Sequence, residues 1–165
     1  MILIFPWSRK TTDGKSSPKN YPYWEAVVEG LVGKGHEVLQ VSCTGEVGVA
    51  GTRRVDDLPL EKIADLMKTC ETWISCDNFA HHMAWTLNEP GIVIFGMSDP
   101  AIFGHPENLN ILKDAKYLRA RQFGLWSQEP ENPAAFVGPQ AVLEAVRLSI
   151  KQRKSRPASG IPTPK

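Results

Sequence analysis

The sequence predicts an α/β fold in three layers, built on a doubly wound, mostly parallel β-sheet. Two observations lead to this prediction. Short apolar runs, typical of strands buried on both faces, alternate with segments whose apolar residues recur at helical spacing. The chain has 165 residues, which is the usual size of one domain. Such alternation favours right-handed βαβ units, which place helices on both faces of a parallel sheet.

The first half of the chain contains three predicted strands and two predicted helices. Ile2 to Phe5 is a continuous apolar run, and residues 36–42 (HEVLQVS) form a second buried strand. Arg53 to Asp57 is a short third strand. The apolar residues of Tyr23 to Val32 follow a helical period, and Pro59 opens a second helix because proline fits a first helical turn.

The second half continues the alternation. Residues 72–76 (TWISC) and 91–95 (GIVIF) are predicted strands, with a helix from Phe79 to Leu87 between them. Residues 96–110 are predicted to be a loop, and Pro139 to Ile150 forms an amphipathic helix. The body, residues 1–150, is therefore predicted to be a Rossmann-like domain.

Residues 151–165 form a predicted disordered tail, because they are rich in Pro, Ser and Lys and have little to bury. The tail holds five basic residues and no acidic one, so the body carries a net charge of −4 within the total of +1. Five dispersed charges predict only weak, salt-sensitive contact with nucleic acid.

The cysteines and the hydropathy predict a cytoplasmic protein. Three cysteines at irregular spacing are not a disulfide framework and fit a reducing compartment. The apolar run at the N-terminus is too short for a signal peptide and precedes the basic residues. No stretch approaches the ~20 apolar residues of a membrane span.

Three polar segments follow predicted strands, at the edge where open parallel sheets bind ligands. The first is the long loop after Phe5, in which Ser8, Arg9 and Lys19 offer hydroxyl and cationic groups to a phosphate. A solvated, mobile loop is the alternative interpretation, although long loops in compact domains are commonly functional.

In the second segment, residues 76–82, Asp77 ends a strand, and Asn78 or Phe79 begins a helix whose free N–H groups attract phosphate. Asp77 is suited to accept hydrogen bonds from sugar hydroxyls, and His82 to donate to a phosphate or a leaving oxygen. Alternatively, Asp77 only caps the helix and the histidines are surface residues.

The third segment is residues 96–100 (GMSDP). Gly96 permits close backbone approach, and Ser98 and Asp99 offer groups that bind hydroxyls; a plain turn is the alternative.

Neither a metal ion nor a cofactor is expected from the sequence. Cys76, His81, His82 and His105 lie near one another in the chain, but adjacent histidines on a helix point in different directions. Paired cysteines at the spacing of a structural zinc site are also lacking. The chain carries no P-loop, no Rossmann glycine fingerprint and no nucleophile-elbow motif.

Residues 73–108 resemble the signature region of the family-nine, heptosyltransferase-like glycosyltransferases. That family reads Asp-Ser-Gly-Pro-Met-His, then a helix, an apolar strand and Gly-Pro-Thr-Asp-Pro. The Lys-x-Trp-Pro segment of the family is similar to residues 19–22, and the resemblance covers residues 1–110. The matching positions in the signature are Asp77, His82, Gly96, Ser98, Asp99 and Pro100.

The resemblance implies the C-terminal, Rossmann-like half of a GT-B enzyme that works without a metal. The diphosphate of a nucleotide-sugar donor would sit at the helix start after Asp77, with Lys19 near its phosphates and His82 helping to orient the donor. Phe79-Ala80 stands where the family has Gly-Pro. The phenylalanine ring would crowd a diphosphate at a position where glycine allows close backbone approach. The acceptor half is not expected within the chain, so a partner subunit or a homo-oligomer would supply it.

Three functions remain open from the sequence. The first is a metal-independent glycosyltransferase, and the second is a module that binds a nucleotide or sugar phosphate without turnover. The third is a protein-interaction domain that uses partly exposed tryptophans as anchors. The tryptophans considered for that role are Trp7, Trp24, Trp85 and Trp126.

Overall fold

A computed structural model describes residues 1–156 and contains one parallel sheet of six strands within them. The strands are β1 (Ile2–Phe5), β2 (Val38–Ser42), β3 (Arg53–Asp56), β4 (Thr72–Cys76), β5 (Ile92–Phe95) and β6 (Leu109–Leu112). The helices are α1 (Trp24–Val32), α2 (Leu60–Thr69), α3 (Phe79–Thr86), α4 (Pro100–Phe103) and α5 (Pro139–Ser155).

The strand order β3-β2-β1-β4-β5-β6 confirms the predicted doubly wound, Rossmann-like class. β1 lies in the middle of the sheet, and its Leu3 is in register with Leu39 of β2 and with Trp73 of β4. The chain winds outward from β1 to β3 and then returns to β4 on the other side. The crevice between the carboxyl ends of β1 and β4 is therefore the point where ligands bind in such sheets.

Each face of the sheet buries its own apolar core, which gives the three predicted layers. Ile2 and Ile4 of β1 point towards α1 and α5, whereas Leu3 and Phe5 point towards α2 and α3. All four side chains are at most 2% exposed. Continuous apolar strands are required here, because both faces of a central parallel strand are covered.

Residues 96–110 are predicted to be a loop, but the structure differs there. Helix α4 lies within this stretch, and strand β6 begins in it and ends at Leu112. β6 is a four-residue strand at the sheet edge, and all its residues are only partly buried. Since one side of an edge strand is uncovered, its apolar run is short and interrupted by Asn110, and the sequence signal is weak.

The last helix continues to Ser155, past its predicted end at Ile150. Residues 151–155, which were assigned to the disordered tail, are therefore helical, and residues 157–165 lie outside the described part of the chain. Arg153 explains the extension: its guanidinium donates to the carbonyl oxygens of Pro90 at 3.1 Å and Met67 at 2.9 Å. It also pairs with Glu89 at 2.9 Å.

Within residues 1–156, no helix has both the length and the apolar character needed to cross a membrane.

Replacing Arg153 with alanine should lower the free energy of unfolding by about 1–3 kcal/mol, because two carbonyls and a carboxylate lose their donor. Lys154→Ala is the matched control, since Lys154 is exposed on the same helix turn. Urea denaturation followed by circular dichroism measures both variants. Equal stability of the two variants would show that Arg153 does not fasten the end of α5.

Candidate functional site

A cleft of about 1310 Å³ opens at the carboxyl ends of β1, β2 and β4. Its walls come from the loop after β1, the turn after β2, the starts of α2 and α3, and residues 124–127. Seven of the sequence-predicted site residues line it. They are Ser8, Arg9, Lys19, Asp77, Asn78, Phe79 and His82.

Hydrogen bonds fasten the loop after β1 to the end of β4. The hydroxyl of Ser8 donates to the backbone oxygen of Asp77 at 2.6 Å, and the amide of Ser8 donates to the Asn20 side chain at 2.8 Å. The Asn78 side chain donates to the backbone oxygen of Phe5 at 2.9 Å. Ser8 and Asn78 thus hold the two walls of the cleft together.

An ion pair between a buried carboxylate and a partly buried lysine lies at the centre of the site. The Lys19 ammonium is 2.8 Å from Oδ2 of Asp77, whose side chain is 4% exposed. Nε2 of His81 lies 3.2 Å from the other carboxylate oxygen. Lys19 and Asp77 therefore face the same cleft, in agreement with the prediction that the segments after the parallel strands meet at one edge of the sheet.

The partners of Asp77 keep it ionised. Burial alone would raise the pKa of this carboxyl, but the hydrogen bond from His81 and the charge of Lys19 hold it well below its usual range. A carboxylate of such low basicity is a poor general base near neutral pH. It is suited instead to accept hydrogen bonds from hydroxyl groups and to hold a cation in place.

The start of α3 forms one wall of the cleft. The Asn78 side chain caps the helix by accepting from the amide of Ala80 at 2.9 Å, while Asp77 pairs with Lys19 and His81 rather than capping. The other amides of a first helical turn have no partner within the helix. Phe79 packs edge-on against Phe5, with ring centroids 6.0 Å apart, and remains 48% exposed.

Residues 124–127 supply a wall of the cleft that was not predicted from the sequence. The Arg119 guanidinium lies 3.6 Å from the centroid of the Trp126 ring, and the Lys19 ammonium lies 5.1 Å from it. Arg119 also donates to the carbonyl of Gly124 at 2.9 Å. The sequence offered one signal for this wall. It has an aromatic residue and basic residues close together in a stretch without helix or strand periodicity.

The three predicted residues after β5 do not line the cleft. Gly96 packs against Phe136, and a Cβ there would lie 2.5 Å from that ring. Asp99 caps α4 by accepting from the amide of Ala101 at 2.8 Å. Ser98 is 1% exposed, and its hydroxyl helps to lower the pKa of Asp77, after the larger contributions of burial, His81 and Lys19.

Three histidines converge beside the cleft. The rings of His81 and His82 approach to 3.9 Å between centroids, and Nδ1 of His82 is 2.9 Å from Nε2 of His105. The premise that the adjacent histidines of α3 point apart is therefore wrong. Burial and the neighbouring His81 lower the pKa of both His82 and His105, so both rings favour the neutral form.

The tryptophans give little support to an interaction surface. Trp24 is 2% exposed and belongs to the core, so its assignment as an exposed anchor was wrong. The Trp7 indole donates to the carbonyl of Val47 at 2.8 Å. Trp85 is 54% exposed and stacks on His105 with a 7° angle between the rings.

The all-parallel sheet, with a cleft at its switch point, defines a Rossmann-like α/β domain of the kind that forms half of a GT-B enzyme. Residues 1–121 match the profile of glycosyltransferase family 9 (heptosyltransferase). The chain belongs to this family, as its signature motifs indicated. No curated protein sequence matches the chain.

Solved structures of the family share the fold. ADP-heptose LPS heptosyltransferase II of E. coli aligns over 94% of this chain and 47% of its own, with a TM-score of 0.67 and 18% identity. TibC of enterotoxigenic E. coli, a dodecameric iron-containing heptosyltransferase solved with ADP-D-β-D-heptose, aligns over 93% and 45%, with a TM-score of 0.62 and 14% identity.

A family-nine glycosyltransferase of Veillonella parvula aligns over 92% of this chain and 46% of its own, with a TM-score of 0.64 and 12% identity. The chain thus spans slightly less than half the length of these three structures.

Substituting Gly96 with alanine should destabilise the fold by about 1–3 kcal/mol, because the new methyl group overlaps the Phe136 ring. Gly48→Ala is the control, since the nearest atom to a Cβ there lies 3.8 Å away on a flexible arginine side chain. Thermal unfolding compares the two. A Gly96→Ala variant as stable as the wild type would contradict the packing role assigned to Gly96.

Proposed function

We propose that the cleft binds the diphosphate of a nucleotide-sugar donor, and that the protein takes part in transfer of the sugar to an acceptor. The observation that carries this proposal is the Lys19–Asp77 pair beside the first turn of α3. It places a cation and a hydroxyl acceptor side by side at the switch point of the sheet. Membership of family nine supports a glycosyltransferase reaction.

An ADP-linked sugar is the first donor to test. The E. coli neighbour is described as an ADP-heptose enzyme, and TibC was solved with ADP-D-β-D-heptose. In this chain, the α3 dipole and the amides of its first turn attract phosphate oxygens. Lys19 and Arg9 add positive charge that would stabilise the diphosphate as it leaves.

Asp77 and His82 would act on the sugar side of the donor. An ionised Asp77 accepts hydrogen bonds from sugar hydroxyls and orients the ring, without removing a proton. His82 lines the cleft, and its bond to His105 engages only Nδ1. Its Nε2 is therefore available to a phosphate or leaving oxygen.

The acceptor is expected to be held by another protein surface that faces the mouth of the cleft. That surface would belong to a partner subunit or to a second copy of the chain. Leu60, Phe79 and Leu125 line the cleft, and each is about half exposed or more. Apolar side chains at such a rim are commonly covered by a protein surface.

Titration calorimetry with ADP tests the phosphate site. Lys19→Ala should weaken ADP binding about tenfold or more, because one charge-assisted hydrogen bond contributes about 1.5–3 kcal/mol. Lys15→Ala is the matched control: Lys15 belongs to the same loop but pairs with Asp13 and does not line the cleft. It should bind ADP as the wild type does.

Absence of binding by ADP, ADP-heptose and other nucleotide sugars would rule out the donor site. Equal weakening by both lysine variants would place the phosphates elsewhere. Tight donor binding with no transfer or hydrolysis, in the presence of candidate acceptors, would instead favour a module that binds without turnover.

The Asp77→Asn variant distinguishes the contact with the sugar from the contact with the phosphates. ADP binding should not weaken, because the substitution removes a negative charge from the phosphate site and releases Lys19. The additional affinity of ADP-heptose over ADP should fall about tenfold or more, since a charged acceptor of sugar hydroxyls is lost. The assignment would be contradicted if the variant bound ADP more weakly but kept the additional affinity of ADP-heptose over ADP.

A further inference from the structure

We propose that His81, His82 and His105 form a binding site for one divalent transition-metal ion at the edge of the cleft. Three of the four histidines in the chain meet here. One ring nitrogen from each lies within 4.8 Å of the other two. The proposal concerns a second ligand and does not depend on donor binding.

His81 is prepared as a ligand by its carboxylate partner. The ring is fully buried, and Nε2 faces Oδ1 of Asp77 at 3.2 Å. Because the ionised carboxylate only accepts, Nε2 carries a proton, and Nδ1 is the nitrogen that would bind the ion. Within the described residues, Nδ1 is buried and has no hydrogen-bond partner. A buried polar atom without a partner is costly, and a bond to a metal ion would remove that cost.

The arrangement matches the usual support of a metal-binding histidine, in which the second ring nitrogen donates to a carboxylate. Asp77 fixes the tautomer and the orientation of His81 in this way. Trp85 supports the opposite side of the cluster, since it stacks on His105 with ring centroids 4.9 Å apart. His81 is thus held in place without a metal, and stacking on Trp85 keeps the His105 ring beside the cluster.

The three ligand atoms lie within 4.8 Å of one another, and one pair lies close to the spacing that a tetrahedral ion needs. Bonds of about 2.0–2.1 Å place two nitrogen ligands of a tetrahedral zinc ion roughly 3.3 Å apart. Nδ1 of His82 and Nε2 of His105 are 2.9 Å apart, joined by a hydrogen bond. A slight rotation of the partly exposed His105 ring widens this gap and replaces the hydrogen bond with two metal bonds.

Three imidazole ligands select zinc, copper, nickel or iron rather than magnesium or calcium, which prefer oxygen ligands. Three protein ligands also leave one coordination position open to water or another ligand. His82 belongs both to the cluster and to the wall of the cleft, so the ion would sit at the border of the larger site.

The test uses the full chain without an affinity tag, stripped with a chelator and carrying Cys43→Ser to remove the exposed thiol. Zn(II) affinity is measured by competition with a chromophoric chelator, and Co(II) absorption reports the coordination geometry. We expect one ion per chain. His105→Ala and His82→Ala should each weaken binding at least tenfold, and Asp77→Asn should weaken it about 10–100-fold.

His36→Ala is the matched control, because His36 pairs with Glu71 away from the cluster. It should bind Zn(II) like its parent, and circular dichroism should show every variant folded. The proposal would be overturned if the parent chain bound no Zn(II), or if the His105→Ala and His82→Ala variants bound it as tightly as the parent. The cluster would then be a hydrogen-bonded group of imidazoles.

Discussion

The buried carboxylate of Asp77 is the constraint on which the site depends. A charge removed from water is tolerated only when it is paired and hydrogen-bonded. Lys19 and His81 meet this requirement from opposite sides, one from the loop after β1 and the other from α3. The same carboxylate therefore orders the long loop, fixes a histidine tautomer and places a cation in the cleft.

The topology explains why these groups meet. β1 and β4 are neighbours because the strand order reverses beside β1. Since the two strands are parallel, the segments that follow them leave the sheet at the same edge. Ser8 and Asn78 then join those segments through backbone oxygens at the ends of β4 and β1. The two apolar cores determine the sheet, and the sheet determines which polar residues share the cleft.

The parts predicted from sequence are those with a strong local pattern. β1 and β5 are buried on both faces and read as unbroken apolar runs. The sequence also placed the segments of Lys19 and Asp77 at one edge of the sheet, but not their ion pair. β6 was missed because an edge strand needs less apolar surface. Trp126 and His105 reach the site from segments without periodicity, so only the tertiary fold reveals their neighbours.

Gly96 and Asp99 show that a match to the family's motif did not predict where these residues lie in this structure. Both match the family's signature, yet here Gly96 makes room for Phe136 and Asp99 caps α4. In contrast, the histidine added next to the family's position, His81, connects Asp77 to the imidazole cluster. A ligand that draws Lys19 away from Asp77 leaves His81 as the carboxylate's remaining partner. Because one carboxylate contacts both neighbours, the phosphate side of the cleft and the imidazole cluster are joined through Asp77.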